Sequence, residues 1–170
     1  MNASSTHGID LVPATMEDFD FLFALKSQPD SIYWGGFSAA PQYESLKKHY
    51  EGIFAAGERK TLIIRSNGRR AGVISCRFVD GKVCTDYSIN VSSEFAGQGV
   101  GRAGLARHLE LMREHEPACQ EVVALIREDN PRSQRIFANC GYAPNGQSEE
   151  RLLASDDAPI RLQTWTRALS

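Results

Sequence analysis

A strand pattern that runs into a glycine-rich turn and then into a helix pattern constrains this chain more than any other feature. Residues 83–103 read VCTDYSINVSSEFAGQGVGRA. Alternation over Val83–Val91 predicts a strand. Ala96-Gly97-Gln98-Gly99-Val100-Gly101 follows, and Leu105, Ala106, Leu109 and Met112 then recur at helical spacing. Strand, glycine loop and helix together build an anion site. The glycines let the backbone approach closely and aim several N–H groups one way. The helix adds its unpaired N-terminal N–H groups and the positive end of its dipole. A phosphate or pyrophosphate suits such a place.

Two phosphate-binding loops are poor matches. No Lys-Ser/Thr follows the last glycine, so this is not a nucleoside-triphosphate loop. Gly99, Gly101 and Gly104 satisfy GxGxxG literally. A dinucleotide site, however, should open a chain of βαβ units with an acidic residue about 20 positions on, after a second strand. Glu121 lies at about that distance but precedes the next strand.

The stretch resembles motif A of the GNAT superfamily of N-acetyltransferases, Arg/Gln-x-x-Gly-x-Gly/Ala after a strand. Gly99 and Gly101 match, with Gly97 and Val91 at the usual offsets; Ala96 departs from the first position. A second block, Asn130-Pro-Arg-Ser133-Gln-Arg-Ile-Phe137-Ala-Asn-Cys-Gly141-Tyr142, resembles the family's motif B. The likeness is good over residues 60 to 145 and holds in outline beyond them. It implies an α+β (mixed α/β) GNAT-like acyl-CoA N-acyltransferase fold in a single domain spanning 1–170. The sheet would be mixed and mostly antiparallel, with about seven strands and four flanking helices, splayed between the central strand and its parallel neighbour.

The resemblance also implies a cofactor, acetyl-CoA (coenzyme A), and a set of residues for it. The pantetheine arm would pair with the free strand edge, like an added strand, at Ile89, Asn90 and Val91. The pyrophosphate would meet Ala96, Gly97, Gln98, Gly99, Val100, Gly101 and Arg102. Asn130, Ser133 and Phe137 match motif B positions beside the arm. Arg102, Asn130 and Ser133 also read simply as a solvated helix residue, a helix cap and a surface serine. The implied reaction is direct attack by a primary amine on the thioester. An alkylammonium of pKa near ~10.4 must first lose a proton, so a base or a water chain is needed. The developing oxyanion needs N–H donors, for which the backbone at Val91 is the expected place.

The side chains of catalysis are less determined. Phe137 stands where many family members carry a tyrosine and has no proton to give. Tyr142 is the nearest tyrosine in sequence, as acid or as a core residue. Asp86 is the chosen base, although a partner on the adjacent strand, Arg77, would equally account for a charge within a strand. Glu128, at the end of the next strand, is another carboxylate able to hold a water, while His49 and His108 read as surface groups. Tyr33, Trp34 and Phe37 surround Gly35-Gly36 as a flexible aromatic loop, and with Tyr87 they are the candidate substrate wall; the loop aromatics also read as core.

Bulk properties exclude other classes. The 170 residues are 42% hydrophobic and 24% charged with net charge −2, and no basic run points to nucleic acid. No apolar run approaches the ~18 residues of a membrane span, and no signal-peptide pattern opens the chain. Four cysteines lack metal spacing and read as reduced thiols of a cytoplasmic protein; no metal is expected. As partner the resemblance implies a small-molecule amine (amino sugar, sugar nucleotide or amino acid), or alternatively a protein N-terminus or lysine, with the protein a monomer or homodimer. A non-catalytic acyl-CoA-binding domain is the third reading.

Along the chain, Ile9–Val12 reads as a strand and Thr15 as a cap for a helix ending near Lys26. Pro41 is expected to start a helix over 41–55. Asn67-Gly68 and Asp80-Gly81 are hairpin turns. The strand at 121–126 follows a helical crossover and should lie parallel to the central one. Asn130 caps a helix with Pro131 at its first position. Residues 147–154 and 160–168 are expected to pair across 155–159.

Overall fold

The structure is a computed structural model, and it describes residues 8–154 and 158–169. Seven strands form one sheet: β1 (Ile9–Pro13), β2 (Arg59–Ser66), β3 (Arg69–Val79), β4 (Val83–Val91), β5 (Glu121–Arg127), β6 (Ala143–Arg151) and β7 (Ile160–Ala168), in the spatial order β1-β2-β3-β4-β5-β7-β6. Five helices pack around it: α1 (Phe19–Lys26), α2 (Pro29–Trp34), α3 (Tyr43–Ala56), α4 (Val100–His115) and α5 (Pro131–Asn139). All neighbouring strands are antiparallel except β4 and β5, which are parallel as the crossover through α4 requires.

The local signals explain most boundaries. Asn67 and Gly68 take φ of 51° and 82°, the left-handed pair that a tight hairpin needs. Thr15 Oγ1 accepts the Glu17 N–H at 3.2 Å and Asp18 accepts the Thr15 N–H at 2.9 Å, a reciprocal cap. Asn130 caps α5 by accepting the Ser133 N–H at 3.1 Å, and Pro131 takes the first helical turn.

Three expectations are corrected. The described residues hold five helices where four were expected. The extra one, α2, takes up Tyr33 and Trp34 of the stretch read as an aromatic loop: Pro29 starts a new helix, since its fixed φ suits the first turn. Pro41 stands before the cap residue Gln42 of α3, not at its first position. The last hairpin forms, with β6 beginning earlier than expected; residues 155–157 of its turn lie outside the described residues.

Two cores cover the two faces. On one, α4 and α5 bury Leu105, Leu109, Met112 and Phe137 against Ile64, Ile74, Cys84, Tyr87 and Val122. On the other, Phe19, Leu22 and Leu25 of α1 and Tyr50 of α3 meet Ile63 and Val73.

One irregularity shapes the middle of the sheet. Ser75 pairs with Ser88 and Arg77 with Thr85, so Cys76 faces both Asp86 and Tyr87. The extra residue, Asp86, has φ 50°. This is a bulge with its first residue left-handed, a conformation that aspartate tolerates better than most side chains. The bulge shifts the alternation, so Cys84, Tyr87, Ile89 and Val91 all pack on the α4 side. A bulge also bends its strand. Pairing with β5 stops just before it, at Val83–Glu121 and Cys84–Val122, while β5 pairs with β7 along its whole length.

The free end of β4 is held by β3. A Cβ on Gly72 would lie 2.4 Å from the Asn90 carbonyl oxygen and 3.1 Å from Val91 Cα, and backbone cannot give way as a side-chain tip can. Gly72→Ala is therefore expected to destabilise the protein by about 1–3 kcal/mol, lowering the melting temperature by about 2–4 °C per kcal/mol. An unchanged melting curve would mean that the strand ends are not so tightly juxtaposed.

Candidate active site

From Thr85 onward, the β4 edge that faces β5 has no strand partner among the described residues. It leads directly into the glycine loop. Gly97 and Gly99 have φ of 74° and 77°, and nothing lies within 4 Å of where a Cβ would stand on either. Among the described residues, the N–H groups of Gly97, Gln98 and Gly99 make no backbone hydrogen bond. Gly99 caps α4, whose first-turn N–H groups at Val100, Gly101 and Arg102 continue the row. The Gln98 amide donates to the Glu94 carbonyl at 3.1 Å and ties the loop to the turn before it. A Cβ on Gly101 would touch Ile136 and Val91 at 3.4 and 3.5 Å, so α4 packs close to the end of β4. The loop is thus continuous with the strand edge, and α5 meets α4 there through Ile136.

Three residues belong elsewhere. Tyr142 is 3% exposed, packs edge-on against Phe137 with ring centroids 4.9 Å apart, and its enclosed hydroxyl has no hydrogen-bond partner among the described residues. Burial drives its pKa up, so it is a core residue and not an accessible acid. Tyr87 is also core. Its hydroxyl lies 2.7 Å from His108 Nδ1, and neither group reaches the surface. Phe137, at 2% exposure, fills the space beside Tyr87 and Tyr142 and offers a ligand no accessible surface. His108, expected on the surface, is buried.

Asp86 is exposed at the bulge. Arg77 Nε donates to its carboxylate at 2.8 Å, and Arg59 stands 3.8 Å away while also donating to the Asp86 carbonyl and to Ser75. Its carboxylate is thus engaged by the cross-strand partner. Lys26, at the end of α1, is held below its ordinary pKa, by burial first and by Arg59 second. Glu128 lies 3.7 Å from Arg161, and His49 is exposed.

The aromatic stretch holds a second surprise. α2 bridges the two lips of the splay. On the β4 side, Asn90 Nδ2 donates to Ser31 Oγ at 3.0 Å, and Gln28 bonds both Ser92 Oγ and the Ser93 N–H at 3.0 Å. On the β5 side, the Arg127 guanidinium lies 5.2 Å from the ring centroids of both Tyr33 and Trp34. That guanidinium is buried and forms a two-pronged pair with Asp129 at 2.9 and 3.0 Å. Tyr33, Trp34 and Phe37 keep 45%, 39% and 61% of their surface exposed, so they wall the opening. A Cβ on Gly36 would meet Leu153 at 2.8 Å, which brings the segment just after β6 to the same rim. Arg127, Gln28 and Ser31 were not singled out from sequence, because a charge at a strand end and polar residues around a proline read as ordinary surface.

The family model of the acetyltransferase (GNAT) family matches residues 23–142. This chain belongs to that family. Solved structures agree in fold. The spermidine N-acetyltransferase from Vibrio cholerae, in complex with CoA and spermine, superposes with a TM-score of 0.83 at 12% identity, over 96% of each chain. The aminoglycoside acetyltransferase AAC(6')-Ib, in complex with coenzyme A, gives 0.77 at 16% identity over 94% of each. YncA from Salmonella typhimurium, solved with acetyl-CoA, gives 0.71 at 19% identity over 96% of this chain and 95% of that one. Among curated proteins none matches. The GNAT architecture accounts for the seven-stranded mixed sheet with one parallel pair, and no described helix is long and apolar enough to cross a membrane.

The buried histidine of this GNAT domain makes stability depend on pH. Desolvation lowers the His108 pKa from 6.5 to about 4. The unfolded chain then takes up this proton more readily than the folded one between those values. The contribution is complete above about pH 6.5 and is lost as pH falls toward 4, on the order of 3 kcal/mol in total. Urea unfolding at pH 7 and pH 5 checks this. His108→Gln keeps a hydrogen-bonding group for Tyr87 but cannot titrate, so its stability should fall less over that interval. An equal fall in both proteins would show that other groups carry the dependence.

Proposed function

We propose that this GNAT protein transfers an acetyl group from acetyl-CoA to a small-molecule primary amine by direct attack in a ternary complex. The observation that carries the reading is the unpaired β4 edge running into the N–H groups of Gly97 to Arg102. Bound acetyl-CoA supplies an activated thioester. The chain supplies the rest. Backbone groups of Ile89 to Val91 orient an extended amide-bearing arm, as an added strand would. Loop N–H groups and the start of α4 neutralise pyrophosphate. Backbone N–H at Val91 offers a donor for the oxyanion.

The acceptor approaches from the side that α2 covers, between Ser31 and Asn90 on one lip and Arg127 on the other. The exposed rings of Tyr33, Trp34 and Phe37 narrow this mouth, which favours a compact amine over an extended polypeptide. The relatives named for spermidine and aminoglycosides also act on small amines. Asp86 holds the bulge through Arg77, and solvent takes the ammonium proton. A thiol of pKa ~8.5 leaves without an acid, so no side chain replaces the hydroxyl absent at Phe137.

Calorimetric titration with acetyl-CoA, dephospho-CoA and pantetheine tests the cofactor half. Micromolar binding of the first two and far weaker binding of pantetheine is expected. Absence of acetyl-CoA binding would overturn the reading. Thiol release with a panel of small amines and with peptides tests the other half. Release with peptides alone would replace the small acceptor by a protein one, and binding with no release on any amine would make the domain non-catalytic.

A further inference from the structure

A second concavity lies on the other side of the β4 end, between α1 and the β2–β3 hairpin. Its volume is about 630 Å³, within the range of small-molecule sites. The hollow is lined from β2, β3 and the turn after β4, on the β3 side of β4, whereas the splay opens toward β5 on the other; the two adjoin at Gln28 and Ser92. Its two walls differ in chemistry. Phe21, Ala24 and Leu25 of α1 form an apolar wall, and Arg65, Arg69 and Arg70 of the hairpin face them.

The arginines are set in place by their neighbours. Arg70 Nε bonds Asp18 at 2.8 Å, and Asp18 is itself buried and accepts from the Thr15 N–H. Arg69 pairs with Glu94 and lies over the Phe95 ring, 5.0 Å from its centroid. Arg65 is half-buried on β2. Its cross-strand neighbour is Asp10, yet it makes no ion pair among the described residues. Ser92 and Gln28 close the end nearest β4. Two of the three guanidinium groups are thus paired, Arg69 with Glu94 and Arg70 with Asp18, and Arg65 lines a hollow with one oily side.

We propose that this hollow is a binding site for a small organic anion, a carboxylate or phosphate monoester with a flat apolar body. The anionic group would sit in the fork of Arg65, the geometry in which guanidinium binds such oxygens best. The apolar body would cover Ala24 and Phe21. Polyamines and other cations are excluded there by the arginines.

Titration with phenylphosphate, phenylacetate, inorganic phosphate and benzyl alcohol tests the proposal. Phenylphosphate should bind about tenfold more tightly than inorganic phosphate, because its ring is taken out of water; benzyl alcohol should not bind. Phenylacetate against phenylphosphate separates a carboxylate ligand from a phosphate one. Arg65→Gln should weaken phenylphosphate about tenfold or more. Ala24→Trp, which fills the apolar end without touching the arginines, should also abolish binding, and melting curves of both variants should stay close to the parent's. Equal binding in the parent and in Arg65→Gln, or no binding of any anion, would overturn the proposal. So would a loss of CoA affinity in Arg65→Gln that dephospho-CoA does not share, because the arginine would then serve the cofactor's 3′-phosphate.

Discussion

Replacing Gly99 by valine is expected to weaken acetyl-CoA binding by about a hundredfold. Gly99 holds φ 77° at the start of α4, with open space where a side chain would go. The substitution therefore meets no steric wall, and the penalty is one of backbone conformation alone. A β-branched residue in the left-handed region costs about 1–2 kcal/mol and relieves itself by rotating the peptide. That rotation turns away the N–H groups of Gly99 and its successors. Losing two charge-assisted hydrogen bonds, at about 1.5–3 kcal/mol each, gives a hundredfold at the lower end of that range. Gly57→Val is the control. Gly57 has φ 71°, nothing within 4 Å of its Cβ position, and a place at the far end of α3. It should lower the melting temperature about as much while leaving acetyl-CoA affinity unchanged. Parent-like affinity in Gly99→Val would remove the loop from the cofactor site.

Replacing Arg127 by methionine should cost about 2–3 kcal/mol, seen as a melting temperature lower by roughly 5–10 °C. The guanidinium is buried, pairs with Asp129, and lies against two aromatic rings. Methionine keeps much of the length and none of the charge. Asp129 loses less than a buried partner would, because it is half-exposed and water can replace the arginine; its pKa, held down chiefly by Arg127, should rise. The larger consequence is local. α2 keeps its bonds to β4 and loses its hold on β5, so the aromatic wall is no longer pinned across the splay. The KM for the amine should rise at least about tenfold while acetyl-CoA affinity stays level. A matched rise in both constants would place Arg127 in general stability and not in shaping the acceptor mouth.

The parts of this protein legible in the sequence are those with strong local requirements. Asn67-Gly68, Asn130-Pro131 and Gly97 to Gly101 announce themselves because few residues satisfy their dihedral angles or caps. The splay followed only through the resemblance to GNAT proteins, since nothing in the order of residues 83–91 marks where pairing with β5 ends. The bulge was invisible for the same reason: Cys84, Asp86 and Ser88 look like one side of a regular strand. α2 was missed because Tyr33, Trp34 and two glycines suggest a loop, and its stability comes from Arg127, nearly a hundred residues later. The burial of His108 left a trace, however. It stands three residues after Leu105 and four before Met112, within the apolar stripe of α4, and periodicity alone would have turned it inward.

The bulge at Asp86 has a bearing on how this sheet responds to improvement. Removing that one residue would make β4 regular and let it zip onto β5 in full register, gaining backbone hydrogen bonds. The later side chains would keep their faces, because Asp86 is the one residue out of step, but the slot in which an extended ligand arm must lie would close. The most cohesive version of this sheet is thus an inactive one. Selection for thermal endurance alone, by random mutation, would be drawn toward repairing the flaw on which activity depends.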